Sequence, residues 1–225
     1  MKHLLQKYRS LPAQVQASLW FVICSFLQRG ISVITTPIFT RLLSTGDYGQ
    51  YGVFNSWLDI VSIFVTLRLY YGVFVQGLVK YGDDKDRYAS SLQGLGLVLS
   101  LGWTAIYLCF REFWNSLLGL TTTQMLAMLT MIWATGAFRF WAAEQRNEYK
   151  YRALVVITII VSLLKPVLGV FLVIHSEDKV TARILGLAIA ELAGYSGLFF
   201  VHMYRGKQFY SAKYWKHVLY YFFWQ

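Results

Sequence analysis

Charge is scarce in this sequence. Only 14% of its 225 residues are Asp, Glu, Lys or Arg, where ordinary soluble domains carry about 25%. A conventional hydrated surface is therefore excluded for most of the chain. Cysteine is nearly missing: Cys24 and Cys109 both lie inside apolar runs, so no disulfide framework is indicated. The four histidines, His3, His175, His202 and His217, have no metal-ligand spacing. No G-x-S-x-G, Walker sequence or paired loop carboxylates occur. Asp83, Asp84 and Asp86 alternate with Lys85 and Arg87, the pattern of a solvated turn rather than a metal site. These absences give no support to an enzyme, a metal or a cofactor. Linkers and low-complexity stretches are lacking as well.

What is present is apolar. The chain is 56% hydrophobic and 18% aromatic. A spanning helix needs about 20 mostly apolar residues, and six such segments can be placed, at 17–39, 52–78, 88–110, 123–143, 153–174 and 183–204. The expected fold is all-α, a polytopic six-helix bundle over residues 1–204. Residues 205–225 form a basic, aromatic tail that ends in Tyr-Tyr-Phe-Phe-Trp-Gln. An interfacial amphipathic helix is one reading of that tail; the start of a seventh span, and so a chain that is half of something larger, is the expectation adopted. The basic stretch before the first span resembles a signal peptide but is followed by no small-residue cleavage site, so a retained anchor is expected.

The net charge of +10 would point to nucleic acid in a soluble protein. Here most bases lie in short loops, so no nucleic-acid partner is expected and topology explains them. With the N-terminus inside, thirteen of the 21 Lys and Arg residues fall on the cytoplasmic side, in the N-terminal stretch, the second and fourth loops and the tail. Four fall outside: Arg41, Arg111, Lys179 and Arg183. The other four, Arg29, Arg68, Arg139 and Lys165, lie within spans. That balance predicts a cytoplasmic N-terminus and a cytoplasmic tail.

An arginine at membrane depth costs about 2.5 kcal/mol or more unless it meets water or a partner. Arg29 belongs to a polar stripe of Ser25, Ser32, Thr36 and Thr40 at helical spacing. Asn55, Asp59, Ser62, Thr66 and Tyr70 repeat the pattern on the second segment, and Thr158, Ser162, Lys165 and Gly169 on the fifth. Ser and Thr stripes also serve as glue between packed helices. The added charges favour a wet cavity. Counting 1.5 Å per residue from the helix ends, Lys165 and Glu191 lie at one depth, while Arg29 and Asp59 differ by roughly 6 Å. Two structural ion pairs are one reading. The other is that surplus positive charge receives an anionic substrate, with Asp59 and Glu191 as acidic partners or coupling groups. Arg68 and Arg139 are nearer the inner face and able to snorkel to it; Arg139, within Phe138-Arg139-Phe140-Trp141, is expected to mark the interface. Pro37 and Pro166 interrupt backbone bonding inside spans and are candidate hinges. Gly186, Ala190 and Gly194 form a close-packing face.

The run Pro37-Ile38-Phe39-Thr40-Arg41-Leu42-Leu43-Ser44-Thr45-Gly46-Asp47-Tyr48-Gly49 resembles the loop after the first helix in O-antigen (Wzx-type) lipid-linked oligosaccharide flippases. Ser56-Trp57-Leu58 and Gln93-Gly94-Leu95 look similar as well. These polysaccharide-biosynthesis membrane proteins share a superfamily with multidrug exporters and the lipid II flippase. The resemblance implies one lobe of a twelve- to fourteen-helix transporter of the bacterial inner membrane. It further implies a cationic cavity for an undecaprenyl pyrophosphate-linked glycan, for which Arg29, Lys165 and Arg68 are the matching bases. Transport would proceed by lobe rocking and need a second lobe or another protomer, with membrane lipids as further partners. An ion-coupled drug exporter using Asp59 or Glu191, and a membrane enzyme of glycan assembly, are the rival expectations.

Overall fold

The computed structural model describes residues 12–224, and the basic stretch before Pro12 lies outside them. Among the described residues there are helices and turns but no strand. The α-helices are α1 (Ala13–Leu42), α2 (Thr45–Thr66), α3 (Gly72–Lys80), α4 (Lys85–Cys109), α5 (Arg111–Leu118), α6 (Thr122–Asn147), α7 (Tyr151–Ile174), α8 (Lys179–Gly206) and α9 (Ala212–Trp224). Five helical stretches are long and apolar enough to cross a membrane: Gln14–Leu42, Gly82–Cys109, Thr122–Asn147, Tyr151–Ile174 and Lys179–Gly206. The chain is a multi-pass, all-α membrane protein.

Local chemistry sets several helix starts. Ser44 and Asp47 form a reciprocal capping box: Asp47 N–H donates to Ser44 Oγ at 3.1 Å, and Ser44 N–H donates to Asp47 Oδ2 at 3.0 Å. Part of the run Pro37–Gly49 is thus the signal that opens α2. Thr121 and Gln124 do the same for α6. Asp178 caps α8 by accepting from Thr181 N–H at 2.9 Å.

The second expected span is not one helix. α2 stops at Thr66, and Leu67 and Arg68 both adopt the left-handed region, each at φ 47°. That conformation costs an L-residue about 1–2 kcal/mol. The break nevertheless turns Leu69, Tyr70, Val73 and Phe74 into an inner core with Tyr88, Leu92, Phe140, Tyr214 and Val218. Burying a large apolar side chain is worth about 1.5–3 kcal/mol, so four of them outweigh the backbone strain. Turn bonds repair the gap: Leu69 N–H donates to Thr66 O and Tyr71 N–H to Arg68 O.

Helices α7 and α8 form the tightest pair. A Cβ on Gly186 would sit 2.7 Å from Gly169 Cα, so the two backbones touch there. Helix α6 packs on α8, α4 on both α6 and α8, and α2 on α4, α6 and α8. Helix α1 packs chiefly on α7 and leaves large side chains such as Phe26, Val33 and Ile34 exposed. Pro37 and Pro166 lie inside α1 and α7, and both helices continue through them. Helix α9 packs Tyr214 and Val218 into the inner core.

Candidate functional site

The polar stripes of α1 and α2 are not covered by the rest of the chain. Ser25, Arg29, Ser32, Thr36, Thr40 and Asp59 are exposed, and Asn55, Ser62 and Thr66 are half-buried. The stripes border a cleft with α6, α7 and α8 at its floor, where two cavities lie next to one another. The first, of about 230 Å³, is walled by α1, α7, α8 and Tyr51 of α2. The second, of about 110 Å³, lies between α2, α6 and α8 and is lined by Asp59, Tyr70, Thr135, Arg139 and Glu191.

One ion pair joins the two. Lys165 lines the first cavity and Glu191 the second, and Lys165 Nζ stands 2.7 Å from Glu191 Oε1. The expected pairing by depth is met. Thr135 Oγ1 donates to Glu191 Oε2 at 2.8 Å, so both carboxylate oxygens are engaged. Glu191 is buried, and the Lys165 side chain is 31% exposed toward the first cavity.

The second expected pair is not formed. Arg29 and Asp59 make no ion pair among the described residues. Height along the membrane put them within roughly 6 Å of one another, but α1 is held by α7 and α2 by α6 and α8, which sets them on different walls. Arg29 and Arg68 are both exposed and lie outside these two cavities. Arg68 occupies the break after α2 rather than a helix interior.

Two other bases take their place. Arg139 was expected to mark the interface, but α6 runs on to Asn147, and Arg139, itself exposed, lines the second cavity. Its Nη1 donates to the Tyr70 hydroxyl, and its guanidinium stands 5.0 Å from the Tyr70 ring. Arg183, expected in an outer loop, is a buried residue of α8, which begins at Lys179. Its guanidinium carbon lies 4.0 Å from the centre of the Phe39 ring and 3.6 Å from that of Tyr51, with Tyr48 at 5.4 Å. Arg183 Nη1 is buried without a hydrogen-bond partner. Two such ring faces supply about 1–4 kcal/mol, and removing an ion from water costs several kcal/mol. Side-chain hydrogen bonds to Tyr48 and Tyr51 offset a further part of that cost.

A third polar cluster pins the N-terminal half of α4 to the C-terminal ends of α6 and α8. Glu144, His202 and Gln93 are all buried. His202 Nε2 lies 2.8 Å from Glu144 Oε2, and Gln93 Nε2 lies 3.0 Å from both His202 Nδ1 and the Ala137 carbonyl. The carbonyl accepts one amide proton, which leaves the other for Nδ1. His202 therefore carries its proton on Nε2 and donates it to Glu144. Arg205 completes the cluster, with Nη2 at 3.0 Å from Glu144 Oε1 and 2.5 Å from Asp86. Both Glu144 oxygens, both His202 ring nitrogens and the Gln93 amide nitrogen have partners, so the cluster ties helices together. Sequence reading missed it, although Glu144 and Arg205, at the C-terminal ends of neighbouring spans, were a usable signal. No group of three or more His, Cys, Asp or Glu suited to a metal ion occurs among the described residues.

The sequence model for polysaccharide biosynthesis proteins matches residues 15–225. The chain belongs to the polysaccharide biosynthesis protein family. Neither the curated proteins nor the solved structures provide a match. The matched range takes in every helix from α2 onward and nearly all of α1. In this family member, the stretches that carry the resemblance have identifiable physical work. Ser44 and Asp47 start α2, Phe39 and Tyr48 stand around Arg183, and Gln93 sets the His202 tautomer.

Proposed function

We propose that this protein moves lipid-linked polysaccharide repeat units, of the O-antigen or a related surface-glycan type, across the bacterial inner membrane. The observation that carries the reading is the cleft: polar stripes on α1 and α2 left uncovered at membrane depth, above a floor holding Lys165–Glu191, Arg183 and Arg139. Moving a sugar and pyrophosphate headgroup through hydrocarbon demands a substitute for its hydration. A wet, basic groove supplies one while the lipid tail stays in the bilayer. The family membership supports a role in polysaccharide production, and the scarcity of enzyme motifs favours transport over catalysis.

A second lobe, or another copy of the chain, supplies the facing wall in this reading, because the stripes have no cover here. Pro37 and Pro166 are then bending points as the halves rock. Arg29 and Arg68, outside the two cavities, meet the headgroup from the rim. The N-terminus and the segment after Arg205 are cytoplasmic.

A drug exporter of similar architecture needs a broad apolar pocket in its cleft. The chain has an apolar cavity of about 260 Å³, walled by Trp57, Phe64, Trp103 and Trp114. Trp57 and Phe64 lie on the opposite face of α2 from Asp59, away from the cleft. The polar character of the cleft therefore favours a headgroup.

Complementation tests the reading. The chain is expressed, alone and with a complementary lobe, in a strain lacking its own flippase, and surface glycan is measured. Restored surface glycan is expected; its absence despite correct membrane insertion of both parts would overturn the proposal.

A further inference from the structure

The apolar cavity behind α2 has the build of a binding site. Its lining holds no charged side chain. The one hydroxyl, on Tyr107, donates to Asn115 Oδ1 at 3.0 Å, and Asn115 donates in turn to Thr122. Tyr107, Leu118, Met125 and Leu129 form a buried back wall, and Ile60, Phe64 and Leu117 form an exposed rim. Between them stand Trp57, Trp103 and Trp114. Water finds no polar partners in such a space, and leaving it empty forfeits dispersion contacts along every wall. The cavity sits beside two stretches able to cross a membrane, Gly82–Cys109 and Thr122–Asn147, so the medium at its mouth is lipid.

We infer that this cavity holds one acyl chain of a bilayer glycerophospholipid, whose phosphate is met by Arg111. The depth fits. Trp103 lies six residues before the end of α4 and Leu129 seven after the start of α6, so the cavity reaches about 10 Å below those helix ends. That is the third of a hydrocarbon core about 30 Å thick that lies nearest α5. The size fits: at about 30 Å³ per small group, the share of one water, a volume of about 260 Å³ takes a run of roughly eight methylenes. The charge fits as well. Helix α5 packs on α4 and α6 at this end of the bundle. Arg111, Trp114 and Leu118 share one of its faces, at spacings of three and four. Trp114 and Leu118 line the cavity, while Arg111 is exposed and has no ion pair among the described residues. A guanidinium at headgroup level thus stands one turn from an apolar slot that leads inward, the order of groups in a phospholipid. The cleft lies on the opposite face of α2, so the occupant is a lipid of the bilayer and not the cargo of the cleft. The bound chain serves as a packing element between α2, α4, α5 and α6.

The site lies outside the cleft and does not rest on the transport reading. The test uses the purified full chain in a mild detergent. Native mass spectrometry reads the lipid that survives purification. Phosphatidylglycerol with brominated acyl chains, added in increasing amounts, reads contact by quenching tryptophan fluorescence. Wild type should retain a single glycerophospholipid, and quenching should saturate near one equivalent. Ile60→Phe with Leu117→Phe narrows the mouth at two exposed positions, and should lose both the retained lipid and the saturable quenching. Arg111→Gln, also at an exposed position, should hold the lipid more weakly, with saturation moved to higher lipid. Val33→Phe with Ile34→Phe enlarges exposed side chains of α1, away from the cavity, and should behave as wild type. All variants are compared at matched size-exclusion profiles. No retained lipid in wild type, a polyprenyl phosphate retained in its place, or quenching that climbs without saturating would each overturn the inference. So would undiminished binding in the Ile60→Phe, Leu117→Phe variant or in Arg111→Gln.

Discussion

Lys165 on α7 and Glu191 on α8 meet at 2.7 Å within a pair of helices whose backbones touch at Gly169 and Gly186. The contact divides the floor of the cleft into two chambers and closes both with a single ion pair. Because Thr135 holds the other carboxylate oxygen, α6 is tied into the same junction.

Breaking this pair from one side leaves an uncompensated charge, which typically costs about 3–5 kcal/mol. Lys165→Ala and Glu191→Ala should each lower the yield of monodisperse membrane protein. The Lys165→Met, Glu191→Gln double variant should recover part of the loss. Strictly additive losses, measured by size-exclusion chromatography of tagged protein, would show that the two charges do not act as a unit.

Arg29 is exposed on α1 and unpaired with Asp59. Arg29→Gln should therefore leave the amount of membrane protein unchanged while abolishing glycan export. Arg29→Lys should retain some export, since a point charge still attracts pyrophosphate but lacks the bidentate fork. Asp59→Asn should not reproduce the effect through folding. If Arg29→Gln and Asp59→Asn deplete the protein equally, Arg29 is structural. Normal export by Arg29→Gln removes it from the binding surface.

Gly186 has no room for a side chain, while Gly197 on the same helix meets nothing within 4 Å of an added Cβ. Gly186→Ala should destabilise the fold by about 1–3 kcal/mol, the usual range for overpacking. Gly197→Ala should be neutral or slightly stabilising through helix propensity. Matched melting curves in detergent compare the two, and equal midpoints would contradict the close approach of α7 and α8.

The count of bases predicts a cytoplasmic N-terminus and a cytoplasmic tail. Moving Arg183 from loop to helix interior takes one base away from the outer side and strengthens the bias. Fusions at Ser10 and Lys213 should be active with a cytoplasmic reporter and silent with a periplasmic one. Periplasmic activity at either point would reverse the topology.

Much of this was legible in the sequence, for a physical reason. Charges such as Lys165 and Glu191 stand out in apolar runs, and helix rise converts residue number into depth. Depth says nothing about direction around the axis, which is why Arg29 and Asp59 came within side-chain reach on paper and stand apart in the fold. Arg183 was obscured because the apolar run starts at residue 183 while Asp178 caps the helix five residues earlier. The break at Leu67 and Arg68 carries no proline or glycine to announce it. It follows from the burial of Leu69, Tyr70, Val73 and Phe74 against helices distant in sequence, and propensity yields to such packing.

The attachment of α1 chiefly to α7 has a consequence for the birth of the protein. The bond between Gln28 and Ser162 spans 134 residues. Ribosomes add about 5–20 residues per second, so α1 waits on the order of ten seconds in the bilayer before its neighbour exists. During that wait Arg29 and the row of hydroxyls beside it have only water defects, headgroups or the insertion machinery for company. The wall of the cleft that is made first is the last to be seated, and a ribosome stalled between Asn147 and Tyr151 would leave it stranded.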